Sequence, residues 1–207
     1  ISMSRKQTII KDINAMQGFG SMDVLCMDKT GTLTNESILL EYYMDVLGNE
    51  SEKVLDLAFL NSMCHSGVCN PIDNAVLACQ TMPGHEKHFA DLIAGYQKID
   101  EIPFDYARKF VSTLVAGQNG ERQLIVKGDI TRIVERCRYV EFRGEMIPIE
   151  ACSPQSVSSV VDEMLEDGMK VIAVARKKTE GNDQLLRSDE NDLILMGYLA
   201  FFDAPKK

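Results

Sequence analysis

The sequence predicts an α/β (α+β) chain in which an antiparallel sheet of hairpins is flanked by helices. Three observations carry that expectation. Apolar runs of strand length, such as Val171-Ile172-Ala173-Val174-Ala175, recur along the chain. Two hairpin patterns lie in its middle: Val111 to Ala116 and Gln123 to Val126 around Gly117-Gln118-Asn119-Gly120, then Tyr139 to Phe142 and Met146 to Ile149 around Arg143-Gly144-Glu145. Between the strands, apolar residues at helical spacing are bounded by capping residues. With 207 residues, 45% of them hydrophobic and 26% charged, the chain can bury a core as one large domain or two small ones.

The elements follow in order. Ile1 opens the chain without an initiator methionine and inside an apparent element, so the chain reads as a piece of a longer one. Residues 5–16 place Ile9, Ile10, Ile13 and Met16 at helical spacing, and Gly18 and Gly20 end that helix. Val24-Leu25-Cys26-Met27 is expected to be a short buried strand ending at Asp28, with Lys29-Thr30-Gly31-Thr32 as the loop after it. Ile38 to Leu47 reads as a strand and Ser51 to Cys64 as a helix. Asn70 can cap a helix that has Pro71 at its first position and runs through Ala75, Val76 and Cys79. A helix over 154–167 has Ser153 as its cap, Pro154 at its start and one stripe of Val157, Val160, Val161, Met164 and Leu165, and Gly168 breaks it. Strands at 170–176 and 193–202 flank a polar loop at 179–192, and no internal repeat interrupts the pattern.

Lysine plus arginine number 22 against 31 aspartates and glutamates, a net charge of −9. Such a chain lacks the basic field that displaces counterions from nucleic acid, so a nucleotide would have to be met by a few placed lysines. No apolar stretch approaches the roughly 18–20 residues that cross a bilayer, and no signal peptide is visible, so no direct membrane contact is expected of this segment. The six cysteines read as reduced thiols. Cys64 and Cys69, with Cys79, His85 and His88 downstream, are too loosely spaced for the paired ligands of a structural zinc site, which favours buried thiols.

Asp28 carries the strongest chemical signal. A carboxylate at the carboxyl end of a strand, beside a loop of threonines and a glycine, can attack a phosphoryl group while the hydroxyls and close backbone meet phosphate oxygens. The string Asp28-Lys29-Thr30-Gly31-Thr32-Leu33-Thr34 resembles the phosphorylation motif of P-type ion-transporting ATPases at all seven positions. The resemblance implies that Asp28 forms an aspartyl-phosphate, with Asp28 and Thr30 at the Mg²⁺ site and ATP as phosphoryl donor. Related phosphatases of the haloacid-dehalogenase superfamily carry a second aspartate two residues on, where this chain has Thr30. A site without that acid-base group should hydrolyse its phosphoenzyme slowly, as a pump requires. A haloacid-dehalogenase-type phosphatase or phosphotransferase with Asp28 as nucleophile is the alternative, and a non-enzymatic docking module the third reading.

Further motifs resemble that family in order. Asn70-Pro71-Ile72-Asp73-Asn74-Ala75-Val76 places Asp73 where the resemblance implies an acceptor for the adenine amino group, and a first-turn carboxylate also suits the helix dipole. In Pro103-Phe104-Asp105-Tyr106-Ala107-Arg108-Lys109, Phe104 would stack on adenine, although a core role is open to it too, and Lys109 would approach the phosphates. Ile125-Val126-Lys127-Gly128-Asp129 puts Lys127 at a strand end as a deep point charge, with Asp129 in place of the usual alanine, either to cap the next helix or to weaken the local positive potential. Lys170, before Val171, stands where the family has an arginine, which loses the bidentate fork. Asp203-Ala204-Pro205-Lys206 resembles the hinge that returns to the phosphorylation domain.

The segments Asn70 to Val76 and Lys98 to Asp105 look most like the bacterial magnesium-importing P-type ATPases, and the His-Pro dipeptide usual in copper- and zinc-type pumps does not occur. The resemblance implies a nucleotide-binding domain over 35–198, with flanks at 1–34 and 199–207 from a haloacid-dehalogenase-like Rossmannoid phosphorylation domain. It further implies a cytoplasmic position at the cell membrane, with ATP and the rest of the same polypeptide as partners. Later phosphorylation-domain motifs are absent from these residues, so the piece is expected to bind ATP weakly without turning it over.

Overall fold

The computed structural model describes residues 11–12, 14, 18–27, 34–67, 70–152, 154–181 and 183–205. Its centre is an eight-stranded sheet. The strands are β1 (Thr34–Asp45), β2 (Tyr96–Ile102), β3 (Phe110–Gly117), β4 (Arg122–Gly128), β5 (Cys137–Phe142), β6 (Glu145–Pro148), β7 (Lys170–Thr179) and β8 (Leu193–Pro205). Their order is β2-β3-β4-β7-β8-β5-β6, with β1 also on β8. Every pairing is antiparallel except that of β5 with β8. Among the described residues five α-helices accompany the sheet: α1 (Glu52–Cys64), α2 (Pro71–Ala78), α3 (Glu86–Gly95), α4 (Ile130–Val134) and α5 (Pro154–Glu166).

Both faces of the sheet are covered, which is why its central strands read as unbroken apolar runs rather than as an alternation with polar residues. Side chains still alternate between two cores. Val115, Ile125, Val174, Leu199 and Phe201 meet α1, α2 and α3 through Phe59, Leu60, Val76 and Phe89. Their neighbours Leu114, Leu124, Val126, Ala173, Ala175, Tyr198 and Ala200 meet α4 and α5 through Ile133 and Val161. Helix α1 is apolar almost all round and correspondingly buried. Its polar Asn61 bonds Thr113 Oγ1 at 3.2 Å and the Ile125 carbonyl at 3.0 Å, tying the helix to β3 and β4.

β8 organises the topology because two strands share one of its edges. β5 pairs with Leu193 to Leu195, and β1 continues from Gly197 to Pro205. At the junction, a Cβ on Gly197 would lie 2.0 Å from the Met44 carbonyl oxygen, so only glycine lets β1 close there.

One sequence expectation is altered. Val24 to Met27 is not a buried strand: Val24 is 78% and Leu25 62% exposed. An apolar run becomes a strand only where a neighbour takes its backbone hydrogen bonds, and among the described residues none does. Most of the 5–16 helix lies outside the described residues. Helix α3 and strand β2 are additional to the sequence reading, and the short α4 is the helix expected after Asp129 as its cap. Of the cysteines, Cys64, Cys79 and Cys137 are buried and Cys26 is exposed, all as free thiols. Burial raises the pKa of Cys64 and Cys79 and pushes that of Cys137 up to about 12, which keeps the thiols protonated. Cys69 lies outside the described residues.

Candidate functional site

The N-terminus of α2 is built by its own sequence. Asn70 caps it, accepting from the Asp73 amide at 2.9 Å, and Pro71 begins the helix. This places Asp73 in the first turn with its side chain turned inward, 3% exposed. On β4, Lys127 lies two residues beyond Ile125 and so shares its face, toward α1 and α2. The two side chains meet: Lys127 Nζ lies 2.6 Å from Asp73 Oδ1, with both side chains only 4% exposed. Ser62 of α1 closes the triangle, donating to Asp73 Oδ1 at 2.9 Å and accepting from Lys127. A buried charge persists only when partnered in this way.

Asp73 and Lys127, with Ser62 behind them, form the floor of a cleft of about 410 Å³, whose lining includes His65, Asn70, Asp73, Phe104, Tyr106, Lys109, Lys127 and Asp129. The volume falls within the range of small-molecule sites. At the mouth, the segment from Pro103 to Lys109 folds into an Asx turn. Asp105 Oδ1 accepts from the amides of Ala107 and Arg108, each at 2.8 Å, and the Asp105 carbonyl accepts from Lys109 N at 2.8 Å. Bonds from the Arg108 side chain and backbone pull the Asp105 pKa down to about 2. The turn leaves Phe104 48% and Tyr106 90% exposed, with their rings 5.6 Å apart and edge to face. Large aromatic rings held out in water beside a cleft are available for a ligand.

Lys109 follows with φ of 61°, a left-handed conformation that costs a non-glycine residue roughly 1–3 kcal/mol and clusters at binding sites. Gly128 allows it. A Cβ there would stand 2.5 Å from the Lys109 carbonyl oxygen and from Phe110 Cα, so any larger residue would push the turn off β4. Asp129 does act as a cap, accepting from Arg132 N at 3.1 Å, while its amide donates to the Lys109 carbonyl at 3.0 Å.

The structure thus brings Asp73, Phe104, Lys109 and Lys127 to one cleft. Lys170 stands beside the set rather than in the lining. It opens β7 just before the lining residues Val171 and Ile172, and its Nζ lies 3.2 Å from Asp203 Oδ2. Asp28 and Thr30 lie outside the described residues. Sequence reasoning missed Ser62, although a serine amid the apolar run of α1 is the sign of a buried polar contact. His65, read in the sequence only within the Cys64–Cys69 segment weighed for metal spacing, lines the cleft and ends α1 with Nδ1 3.5 Å from Glu101 Oε2. Burial opposes ionisation of Glu101, but hydrogen bonds from Ser66 and Lys98 outweigh it and lower its pKa.

A larger cavity of about 660 Å³ lies under α4 and α5, on the other face, floored by Tyr198. Its lining carries Glu135, Glu150 and Asp162 but no lysine or arginine, so it is unsuited to a polyanion. Among the described residues no group of three or more His, Cys, Asp or Glu side chains is placed to hold a metal ion, and no helix is long and apolar enough to cross a membrane.

The comparisons with known proteins assign the family of this fold. Residues 27–207 match the family described as P-type ATPase, cytoplasmic domain N, and the chain belongs to it. Over 210 residues, all of this chain and 23% of the relative, it is 41% identical to the protein named Magnesium-transporting ATPase, P-type 1, of Escherichia coli (strain K12). The protein of that name from Salmonella typhimurium (strain LT2) is 42% identical over 211 residues, again all of this chain and 23% of the relative. Calcium-transporting ATPase 1 of Lactococcus lactis is 28% identical over 226 residues, 99% of this chain and 25% of the relative. The chain therefore spans about a quarter of the length of these curated relatives.

Truncating Lys127 takes the counter-charge from the buried Asp73, so Lys127→Met is expected to cost about 3–5 kcal/mol in urea unfolding, and Asp73→Asn combined with it to recover part of that loss. Equal losses in the single and double variants would contradict the pairing. Asp105 yields a pH test. Its folded pKa is lowered, so the turn's ionic contribution is complete above the ordinary aspartate value of 3.8 and disappears as pH falls through about 2. Its carboxyl carbon should titrate near pH 2 by NMR, and a midpoint near 4 would contradict the contact with Arg108.

Proposed function

We propose that the chain is the nucleotide-binding lobe of a P-type cation-transporting ATPase and that its cleft takes ATP. The observation that carries this reading is the arrangement of an exposed Phe104 ring and an exposed Lys109 over a floor where Lys127 fixes the Asp73 carboxylate. Purine stacks on Phe104, an interaction worth about 1–3 kcal/mol. Ser62 and Lys127 both occupy Asp73 Oδ1, which leaves Oδ2 to accept from the adenine amino group. Lys109 meets the phosphates, Lys127 adds a positive charge deep in the cleft, and Lys170 adds one beside it. The donor set suits a nucleotide: one aromatic platform, one oriented acceptor and cations on an otherwise acidic chain of net charge −9.

In the whole pump the lobe is assigned 35–198, residues 1–34 lead in from the phosphorylation domain, and 199–207 return to it as a hinge whose first residues, to Pro205, continue β8 of the lobe's sheet. The lobe orients ATP toward Asp28. A carboxylate oxygen of Asp28 attacks the γ-phosphorus, the bond from that phosphorus to the bridging oxygen breaks, and ADP departs with the electron pair, leaving an aspartyl-phosphate. Asp28 and Thr30 would hold Mg²⁺, which would neutralise phosphate oxygens in that transfer. The transported ion is Mg²⁺, a reading supported by the names of the relatives at 41–42% identity against 28% for one named for calcium. The protein then works at the cytoplasmic face of the cell membrane. The isolated lobe binds ATP weakly, with Kd between about 0.1 and several mM, because Asp28 and its partners are not assembled around the γ-phosphate.

Titrating ATP against the isotope-labelled chain should move the amide signals of Phe104, Lys109 and Lys127, and Phe104→Ala should weaken binding roughly tenfold. Unmoved signals at these residues with millimolar ATP would refute the assignment.

A further inference from the structure

Arg108 lies between two residues assigned to the nucleotide, yet it does not line the cleft. Its side chain is 7% exposed and its guanidinium is spent on the protein. Nε donates to Asp105 Oδ2 at 2.7 Å, one terminal nitrogen donates to Glu190 Oε1 at 2.5 Å, and the other to the Pro103 carbonyl. The guanidinium also stacks on the Phe110 ring at 4.9 Å. A planar fork with several fixed donors meets such a set, whereas a lysine ammonium does not.

Glu190 is more deeply buried, at 1% exposure, and belongs to the loop between β7 and β8, 82 residues along the chain from Arg108. Ser112 of β3 donates to the same Oε1 at 2.7 Å. The loop is fixed to the neighbourhood of the turn at other points as well. Leu185 N donates to Asp100 Oδ2 of β2 at 2.8 Å, Arg187 reaches Asp105 Oδ2 at 3.4 Å, and Lys177 holds the Asn191 carbonyl at 2.8 Å. Arg108 therefore ties together the carbonyl before Phe104, the Asx turn at Asp105 and a carboxylate delivered by a remote loop, while the next residue, Lys109, is turned outward at a φ of 61°.

We propose that the Arg108–Glu190 pair is a positioning clamp for the nucleotide: the loop at 185–190, remote in sequence, sets ATP affinity by fixing the turn that presents Phe104 and Lys109. This rests on the nucleotide reading of the cleft. Arg108 and Glu190 are positioning residues that touch no ligand. Holding an exposed ring and an exposed lysine in place before the ligand arrives removes the ordering cost of binding.

The test compares the wild-type chain with Glu190→Gln and Arg108→Lys, in ATP affinity, thermal melting and amide spectra. Glutamine keeps the shape but removes the charge, and lysine keeps the charge but removes the fork. Each is expected to weaken ATP binding about five- to tenfold, with the ligand-free signals of Phe104 to Lys109 shifted and those around Asp73 and Lys127 unchanged. ATP affinity within twofold of wild type in both variants would overturn the clamp, as would restoration of wild-type turn signals by Arg108→Lys. If the buried variants fail to fold, Arg187→Ala decides, since that side chain is 74% exposed and touches the turn from outside. Weakening of two- to threefold is expected there, and unchanged affinity together with unchanged turn signals would overturn the proposal. Wild-type protein that ignores ATP would instead remove the nucleotide reading, and ligand-free turn signals that stay put in the variants would remove the clamp separately.

Discussion

The buried contact between Lys127 and Asp73 is the constraint on which the cleft depends. A lysine and an aspartate, each 4% exposed, are held 2.6 Å apart away from water, and Ser62 donates a further bond to the same carboxylate oxygen. That pairing joins three elements distant in the chain, α1, α2 and β4, and fixes the angle at which the first turn of α2 faces the sheet. The same contact is chemically directional, since it saturates one carboxylate oxygen and not the other. A site whose floor is fixed by charge can afford a mouth built from exposed groups.

The mouth is stabilised differently. Its turn has few apolar contacts of its own, because Phe104 and Tyr106 are turned outward. Its shape comes from polar bonds at Asp105 and Arg108, and from the space that Gly128 leaves beside Lys109. The strained backbone at Lys109 is tolerated because the flanking strand is paired with β4 and buried beneath both cores. Function and fold thus pull in opposite directions across two adjacent residues: Lys109 is held outward in an unfavourable conformation, and Arg108 is held inward at the cost of its hydration.

Much of this was legible in the sequence. The hairpins were, because their turns need residues that accept positive φ, and Gly120 at 78° and Gly144 at 88° supply them. The start of α2 was, because Asn70 and Pro71 act locally. Asp73, Phe104, Lys109 and Lys127 were singled out by motif and do converge on one cleft, whereas the motif position of Lys170 falls just outside it. Helix α3 escaped notice although Phe89, Leu92 and Ile93 are helically spaced, since His85 makes no side-chain cap and β2 follows Gly95 without a turn. β2 itself carries Asp100 and Glu101, charges that local pattern assigns to a surface but that here accept from Leu185 and Ser66 in loops. Val24 to Met27 misled because apolarity predicts burial only when a partner exists. Glu190 could not be read at all, since its role depends on an arginine 82 residues away.

The most direct measurement is a crystal structure of the chain with a non-hydrolysable ATP analogue. The purine should lie against Phe104, its amino group within hydrogen-bonding distance of Asp73, and the phosphates should run toward Lys109, with the Lys127–Asp73 contact intact beneath. An analogue bound instead in the cavity above Tyr198, or a cleft in which ligand entry separates Lys127 from Asp73, would contradict the account.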